Sequence, residues 1–472
     1  MQPDFHHGLL ALQASRNTIR RIDFSERPSG GRSLGALLVA TLLLATLVFT
    51  AIPIFAFEHP AQITVNGKRY RWPKSPVVVI LIDGGDPAYV RHGLARNLLP
   101  NFRRLMTQGF ASIAQGAMPS FTNPNNISVI TGVPPSVHGI SGNFFLNPAT
   151  GQEAMMDQPE FLRADSILAK FSQNGARVVA ITAKNKLAKM LAAGLQNGIT
   201  FSAEKANECQ ASSTNGLADC LNYVGKPLPT EYSADLSLFV LEAGIRILER
   251  EHPDLMYLSL SDYIQHKHAP GSREATDFYI GIDQTIGRLL AAGATVALTA
   301  DHGMNDKSNA EGSPNIVFLQ DLLDRQFGQG KTQVILPITD PYVKHHGALG
   351  SYATVFLQPQ VSPAAVLTLL NQQPGVELIL SRDAAAKTFD LPADRVGDVV
   401  VIGDRGTTLG KSKATLDLSE LGGMRLRSHG GLSDRNVYLM FSRRLSDEYA
   451  NIALSRQLRN FDVFDFVLNG LR

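Results

Sequence analysis

The sequence predicts an α/β protein: a mostly parallel sheet flanked by helices, with a smaller inserted cap and an N-terminal transmembrane helix. Short apolar runs typical of buried strands alternate with helical stretches, which predicts a core over residues 62–307 and 428–472. Between them, residues 308–427 mix strand-like pieces with turns rich in Gly and Pro, and this stretch is the predicted cap. Residues 34–57 form one unbroken apolar run, which is the predicted transmembrane segment.

Each element of the core follows from the local pattern. The predicted strands are 77–82, 177–182, 255–260, 295–300 and 437–441. The predicted helices are 100–108, 164–174, 235–251, 274–291 and 462–468. Ahead of them, Asn66-Gly67 lies between alternating residues and predicts a short hairpin.

The apolar run 34–57 carries no charged residue and is about long enough to cross a bilayer. Five arginines lie in the N-terminal arm (1–33), and Glu58 follows the run. The positive-inside rule therefore predicts a membrane anchor, with the following domain facing the periplasm or the exterior. The alternatives are a cleaved signal peptide, or a misassigned start codon that would leave a cytoplasmic protein beginning near Gln62.

The amino-acid composition limits the classes of molecule that the protein can bind. Lys plus Arg total 44 and Asp plus Glu total 42, so the net charge of +2 argues against a nucleic-acid partner, which needs a basic face. A small anionic ligand needs only a few local cations.

Cys209 and Cys220 are not in a CxxC pair, so they form either a disulfide in an oxidising compartment or two free thiols. The oligomeric state stays open, a homodimer included.

Acidic residues and histidines fall where the predicted strands end. An Asp follows three of these strands. A His comes shortly after two of these Asp residues, and another His precedes the last strand. These residues are Asp83, Asp262, His266, Asp301, His302 and His429. A single Asp after a strand is usually a helix N-cap. Carboxylates and imidazoles that meet at one edge of a sheet are, however, typical of zinc-type ligands, so we predict one metal site and consider two.

A nucleophile is predicted at Thr122, between a strand-like segment (110–117) and a helix running through 126–131. Its hydroxyl then lies at a helix N-terminus, where backbone N–H groups favour negative charge. By itself such a threonine is an ordinary N-cap. A metal ion beside it would favour the alkoxide and make it a nucleophile.

The order of these motifs resembles the alkaline phosphatase superfamily, and within it the nucleotide pyrophosphatase/phosphodiesterase branch. Several stretches resemble the phosphonoacetate hydrolases of that branch: SFTNPNN, HGISGNFF, TAKNKL, FSAEKA, DYIQHK, TADHGM and DPYVKHHGALGSYAT. The likeness runs from about Ile63 to the C-terminus. It implies an alkaline-phosphatase-like core and cleavage of the C–P bond of phosphonoacetate, giving acetate and phosphate.

The resemblance also implies roles for single residues. It implies two Zn²⁺ ions, with other divalent ions as alternatives. The implied ligands are Asp262, His266 and His429 for one ion, and Asp83, Asp301, His302 and Thr122 for the other. Thr122 would form a phosphothreonine intermediate, and Asn143 would hydrogen-bond a phosphonate oxygen. Lys184 and Lys186 would bind the carboxylate of the substrate.

Two other functions stay open at this point. A phosphodiesterase or nucleotide pyrophosphatase could use the same metals, although a diesterase for nucleotides would need an aromatic slot for the base. A non-catalytic membrane-tethered binding protein is the second alternative, and loss of a ligand or of Thr122 would favour it. Lys184 and Lys186 begin a predicted helix, where cations are slightly unfavourable, which supports a functional role. His345 and His346 are left out of the predicted site.

Overall fold

The computed structural model describes residues 59–196, 198–209, 216–231, 233–338 and 347–472. The predicted arm (1–33) and apolar run (34–57) lie outside these ranges, as do His345 and His346.

The strands and helices of the described residues follow in chain order. The strands are β1 (Gln62–Val65), β2 (Lys68–Arg71), β3 (Val77–Leu81), β4 (Phe110–Gln115), β5 (Phe144–Asn147), β6 (Gln152–Met155), β7 (Val178–Thr182), β8 (Gly198–Ser202), β9 (Leu255–Ser259), β10 (Thr295–Thr299), β11 (Asn305–Asp306), β12 (Ile316–Phe318), β13 (Thr332–Ile335), β14 (Tyr352–Leu357), β15 (Val376–Ser381), β16 (Val399–Gly403), β17 (Thr408–Gly410), β18 (Arg427–Ser428) and β19 (Asn436–Phe441). The α-helices are Pro87–Ala95, Pro100–Gln108, Thr122–Thr131, Pro135–His138, Ile167–Gln173, Asn185–Ala192, Cys220–Val224, Ala234–Glu251, Tyr263–Lys267, Arg273–Ala291, Leu319–Phe327, Pro363–Leu370, Arg382–Phe389, Asp447–Ser455 and Val463–Asn469.

The central sheet has seven strands among the described residues, in the order β4-β19-β10-β3-β9-β7-β8. The five strands from β10 to β8 are parallel, and every residue of each is buried because helices cover both faces of the sheet. Toward the other edge, β19 pairs antiparallel with both β10 and β4, so β19 alone of the seven strands runs in the opposite direction. The predicted α/β fold with a mostly parallel sheet is therefore confirmed, and β19 makes the sheet mixed.

Alternate side chains of the central strands pack into two apolar layers. Val78 and Ile80 of β3 face the layer that contains the long helices Ala234–Glu251 and Arg273–Ala291. Val79 and Leu81 face the opposite layer, together with Ile127 of the helix Thr122–Thr131. The helix that carries Thr122 therefore packs directly against the sheet.

The local predictions around the sheet also hold. Asn66 and Gly67 have φ angles of +48° and +79° and form the turn of the β1-β2 hairpin. The helix Pro100–Gln108 begins and ends as predicted. A separate antiparallel sheet, β13-β14-β16-β15, falls within the stretch predicted as a cap. The cap boundaries at 308 and 427 stay a prediction.

The predicted membrane location needs correction. Within the ranges given above, no helix is long and apolar enough to span a bilayer. The helices Ala234–Glu251 and Arg273–Ala291 have the length, but they carry charged residues and pack against the sheet. The prediction of a membrane-anchored chain with its catalytic domain facing the periplasm or the exterior is therefore wrong on the described residues, and the run 34–57 lies outside them.

Cys209 and Cys220 form a disulfide, so the free-thiol alternative does not hold. Cys209 follows the short 3-10 helix Ala203–Glu208, and Cys220 is the first residue of the helix Cys220–Val224. The bridge therefore ties the segment after β8 to a helix of the core.

Candidate metal centre and nucleophile

The predicted ligands lie in two groups at the carboxyl ends of the central strands. Within each group, one potential ligand atom per residue lies within 4.8 Å of the others, and all of these side chains are buried. The groups are Asp262, His266 and His429, and Asp83, Asp301 and His302. Parallel strands bring their carboxyl ends to one edge of the sheet, which is why residues far apart in sequence meet here.

The three histidines of these groups share one hydrogen-bonding pattern. In each, Nδ1 lies within hydrogen-bonding distance of a backbone carbonyl oxygen. The contacts are His266 to Arg427 at 2.8 Å, His302 to Gly303 at 2.9 Å and His429 to Ser120 at 2.8 Å. A carbonyl oxygen only accepts, so Nδ1 must carry the proton and donate it. The Nε2 atom of each neutral ring is then left with its lone pair, which is the form that binds a metal ion.

The Nε2 atoms face carboxylate oxygens. His266 Nε2 lies 2.9 Å from Asp262 Oδ2, and His302 Nε2 lies 3.3 Å from Asp83 Oδ1. Two ligands of one tetrahedral zinc ion lie about 3.4 Å apart, given metal–ligand distances of about 2.1 Å. Asp83 Oδ1 and His302 Nε2 are also buried without a hydrogen-bond partner within the described chain, which is uncommon for buried polar atoms. A divalent cation fits both observations.

The electrostatics of the site favour a cation as well. Burial, together with the charges of Asp262 and Asp301, raises the pKa of Asp83 well above its usual range. Burial raises the pKa of Asp301 to about 7. Although burial opposes the effect, Lys184 and His266 hold the pKa of Asp262 well below its usual value. Three carboxylates this close together need positive charge nearby, and the buried site offers little water to supply screening.

The two groups adjoin each other and the residues that precede Thr122. The rings of His302 and His429 stack with centroids 3.5 Å apart. The carbonyl oxygen that holds His429 belongs to Ser120, and the ring of Phe121 meets the His429 ring edge-on at 5.6 Å. The two residues that precede Thr122 therefore position a ligand of one metal group.

Thr122 is the first residue of its helix, and the N-cap position belongs to Phe121. A threonine at a helix start ordinarily caps the helix through its side chain, but Thr122 does not have that role. Thr122 is 6% exposed and lies at the positive end of the helix.

Asn126 connects this helix to the metal ligands, and sequence reasoning missed it. Its Nδ2 donates to the Thr122 carbonyl oxygen at 3.0 Å and lies 3.5 Å from Asp301 Oδ2. Its Oδ1 accepts from the hydroxyls of Tyr257 at 2.7 Å and Ser259 at 2.9 Å. The available signal in the sequence was its position one helical turn after Thr122.

The predicted substrate-binding residues lie at the same edge, in different settings. Asn143 Oδ1 accepts from the backbone N–H of Asn123, which directly follows Thr122, at 2.9 Å. Lys184 Nζ lies 3.2 Å from Asp83 Oδ2 and 2.5 Å from Asp262 Oδ1, so it bridges the two metal groups. Burial disfavours its charge, yet these carboxylates raise the pKa of Lys184 above its ordinary value. Lys186 lies half-buried in the first turn of the helix that follows.

A buried histidine, His138, forms a hydrogen bond with the helix Thr122–Thr131. His138 Nδ1 accepts from the Ile140 N–H at 3.1 Å, so its Nε2–H donates to Ser128 Oγ at 2.8 Å. Burial lowers the pKa of His138 to about 3. Ser128 belongs to the helix Thr122–Thr131, so a neutral His138 is part of what holds that helix.

The protein should therefore lose stability in acid through His138. The folded-state pKa lies below the unfolded value of about 6.5, so the stabilisation is fully present above that value and is lost as the pH falls toward 3. The loss should reach about 3 kcal/mol of unfolding free energy by pH 4. Urea unfolding at pH 7, 5 and 4 measures it, and His138→Gln should show a shallower decline. An equal decline in both proteins would contradict this assignment.

A known protein family and several solved structures are similar to this chain. The family model described as type I phosphodiesterase / nucleotide pyrophosphatase matches residues 77–430. The structure is similar to phosphonoacetate hydrolase of Sinorhizobium meliloti 1021 in complex with phosphonoformate, at 43% identity and a TM-score of 0.83, over 86% of this chain and 98% of that one. The same enzyme in complex with phosphonoacetate gives 42% identity and a TM-score of 0.81, with the same coverage.

More distant proteins share the fold or a part of the sequence. Murine ectonucleotide pyrophosphatase / phosphodiesterase 5, in complex with AMP, aligns with a TM-score of 0.56 at 16% identity, over 84% of this chain and 96% of that one. An uncharacterized pyrophosphatase/phosphodiesterase of Schizosaccharomyces pombe is 30% identical over 129 residues, which is 27% of this chain and only 26% of that protein. The alkaline-phosphatase-like fold is thus shared well beyond the bacterial enzyme. The chain belongs to the type I phosphodiesterase / nucleotide pyrophosphatase family, and its predicted resemblance to the phosphonoacetate hydrolases is confirmed.

Proposed function

We propose that this chain is a two-zinc hydrolase that cleaves the C–P bond of phosphonoacetate, giving acetate and phosphate through a phosphothreonine at Thr122. The observation that carries the proposal is the pair of buried ligand groups beside the Thr122 helix, in a chain 43% identical to a phosphonoacetate hydrolase. Mixed carboxylate and imidazole ligands in sets of three suit zinc and leave a position open for substrate. Bound zinc would supply Lewis acidity at the phosphonate oxygens and lower the pKa of an adjacent hydroxyl.

The residues of the chain divide the work. Thr122 loses its hydroxyl proton to water, and its Oγ1 attacks phosphorus in line with the C–P bond, which breaks with its electron pair on the methylene carbon. That charge spreads into the carboxylate as an enolate, which Lys184 and Lys186 stabilise. The carbon then takes up a proton and leaves as acetate. Water hydrolyses the phosphothreonine, which releases phosphate and restores the hydroxyl. The Asn143 amide orients the phosphonate by donating to one of its oxygens.

The position of Lys184 supports a carboxylated substrate. Its amine lies at the carboxylates of both groups, so it is within reach of a ligand that binds there. A phosphodiesterase using the same metals is the second candidate, and membership of the phosphodiesterase family favours it. A non-catalytic binding protein is disfavoured, because Thr122 and all six ligand side chains are present.

Substrate choice tests the proposal through the lysines. We expect the wild type to prefer phosphonoacetate to a chromogenic phosphodiester. Lys184→Ala and Lys186→Ala should each lower kcat/KM for phosphonoacetate by about a hundredfold, since each removes a charge partner of the enolate, and should change the diester reaction much less. Acetate release and diester cleavage are measured on the same zinc-loaded preparations. Equal losses on both substrates would argue for the phosphodiesterase.

A further inference from the structure

The helix that carries the two lysines begins in an electrostatically unfavourable way. Lys184 occupies its N-cap and makes no side-chain capping hydrogen bond, and Lys186 lies in its first turn. The first N–H groups of a helix need acceptors, and the positive end of the helix dipole disfavours cations. This helix start therefore needs an acceptor, and preferably a negative charge, from elsewhere in the chain.

Glu204 supplies both. Its Oε2 accepts from the backbone N–H of Asn185 at 2.7 Å, which caps the helix from outside. The backbone N–H of Glu204 donates to the Ala183 carbonyl oxygen at 3.1 Å. Ser202 Oγ donates to Asn185 Oδ1 at 3.2 Å. Residues 183–185 are thus held on both sides of Lys184 by the segment that follows β8.

That segment is itself anchored. The 3-10 helix Ala203–Glu208 leads directly into Cys209, which is bridged to Cys220. Cys220 is fully buried and packs in the same apolar layer as Val240 of the helix Ala234–Glu251. The disulfide therefore ties the far end of the segment that carries Glu204 to the core.

We propose that Glu204 is a positioning residue for substrate specificity: it holds the start of the lysine helix so that Lys184 and Lys186 meet the carboxylate of the phosphonate. The inference rests on the proposed function. It assigns to Glu204 no contact with substrate or metal. Its loss should therefore slow the cleavage of phosphonoacetate and spare that of a substrate without a carboxylate.

The test compares Glu204→Ala, Glu204→Gln and a control, Glu208→Ala, on zinc-loaded protein. Glu208 lies in the same 3-10 helix and forms an exposed ion pair with Lys205. We expect Glu204→Ala to lower kcat/KM for phosphonoacetate roughly five- to tenfold, with the zinc content and kcat/KM for a chromogenic phosphodiester nearly unchanged. Glu204→Gln keeps an acceptor oxygen and should recover most of the loss. Glu208→Ala should behave as the wild type.

Two failures are distinguishable. If the wild type releases acetate, but Glu204→Ala leaves kcat/KM for phosphonoacetate unchanged or lowers kcat/KM equally for both substrates, the role of Glu204 alone is overturned. A wild type that releases no acetate from phosphonoacetate would overturn the proposed function, and the positioning role with it. Replacing both Cys209 and Cys220 by alanine gives an independent check, because it should lower kcat/KM for phosphonoacetate in the same selective way.

Discussion

Thr122→Ala is expected to lower turnover of phosphonoacetate by at least about a thousandfold, because the variant lacks the oxygen that attacks phosphorus. The zinc content should stay close to that of the wild type, since the six carboxylate and imidazole ligands remain. Alanine suits the first position of a helix, so the fold should be preserved. Rates of acetate release and metal analysis on the same sample check both statements.

A second threonine of the same helix provides the control. Thr131 lies at the other end, where its hydroxyl donates to the Ile127 carbonyl oxygen at 2.6 Å. Thr131→Ala removes the same atoms from the same helix and should retain most of the activity. Turnover by Thr122→Ala comparable to that of the wild type would refute the nucleophile assignment.

Removing one metal group should be nearly as damaging. His429→Ala leaves Asp262 and His266 without their third partner, so we expect it to bind about one zinc ion per chain where the wild type binds two. Turnover should fall by at least about a hundredfold, because only one group remains to supply Lewis acidity. Metal analysis after dialysis and rates of acetate release measure the two effects.

Chelation gives the complementary result. A strong chelator should abolish activity in the wild type, and added zinc should restore it. Full activity in chelated protein, or two tightly bound ions in His429→Ala, would contradict the two-group assignment.

The core and the ligand groups were accessible from the sequence for one physical reason. The fully buried parallel strands of the sheet contain no charged residue, so the first charged residue after each one is conspicuous. Asp83 after β3 and Asp301 after β10 stand out in this way. The parallel pairing of β3 with β10 then brings them together.

Other features could not be read from local pattern. The apolar residues of β19 do not indicate the direction in which the strand runs, so its antiparallel pairing with β10 was not predictable. The Nδ1 partners of the histidines are backbone carbonyl oxygens, which leave no trace in residue type. The contact of Glu204 with Asn185 depends on the path of the chain after β8. Each of these is a tertiary contact, and the local sequence of one segment does not indicate which other segment it contacts.

The most direct test of the central claim is a product measurement on purified, zinc-loaded wild-type protein supplied with phosphonoacetate. Acetate and phosphate are quantified in the same reaction, with a chelated sample beside it. Our account predicts that both products form in equal amounts and that neither forms in the chelated sample. Absence of acetate from the zinc-loaded reaction, with ready cleavage of a chromogenic phosphodiester by the same protein, would contradict it.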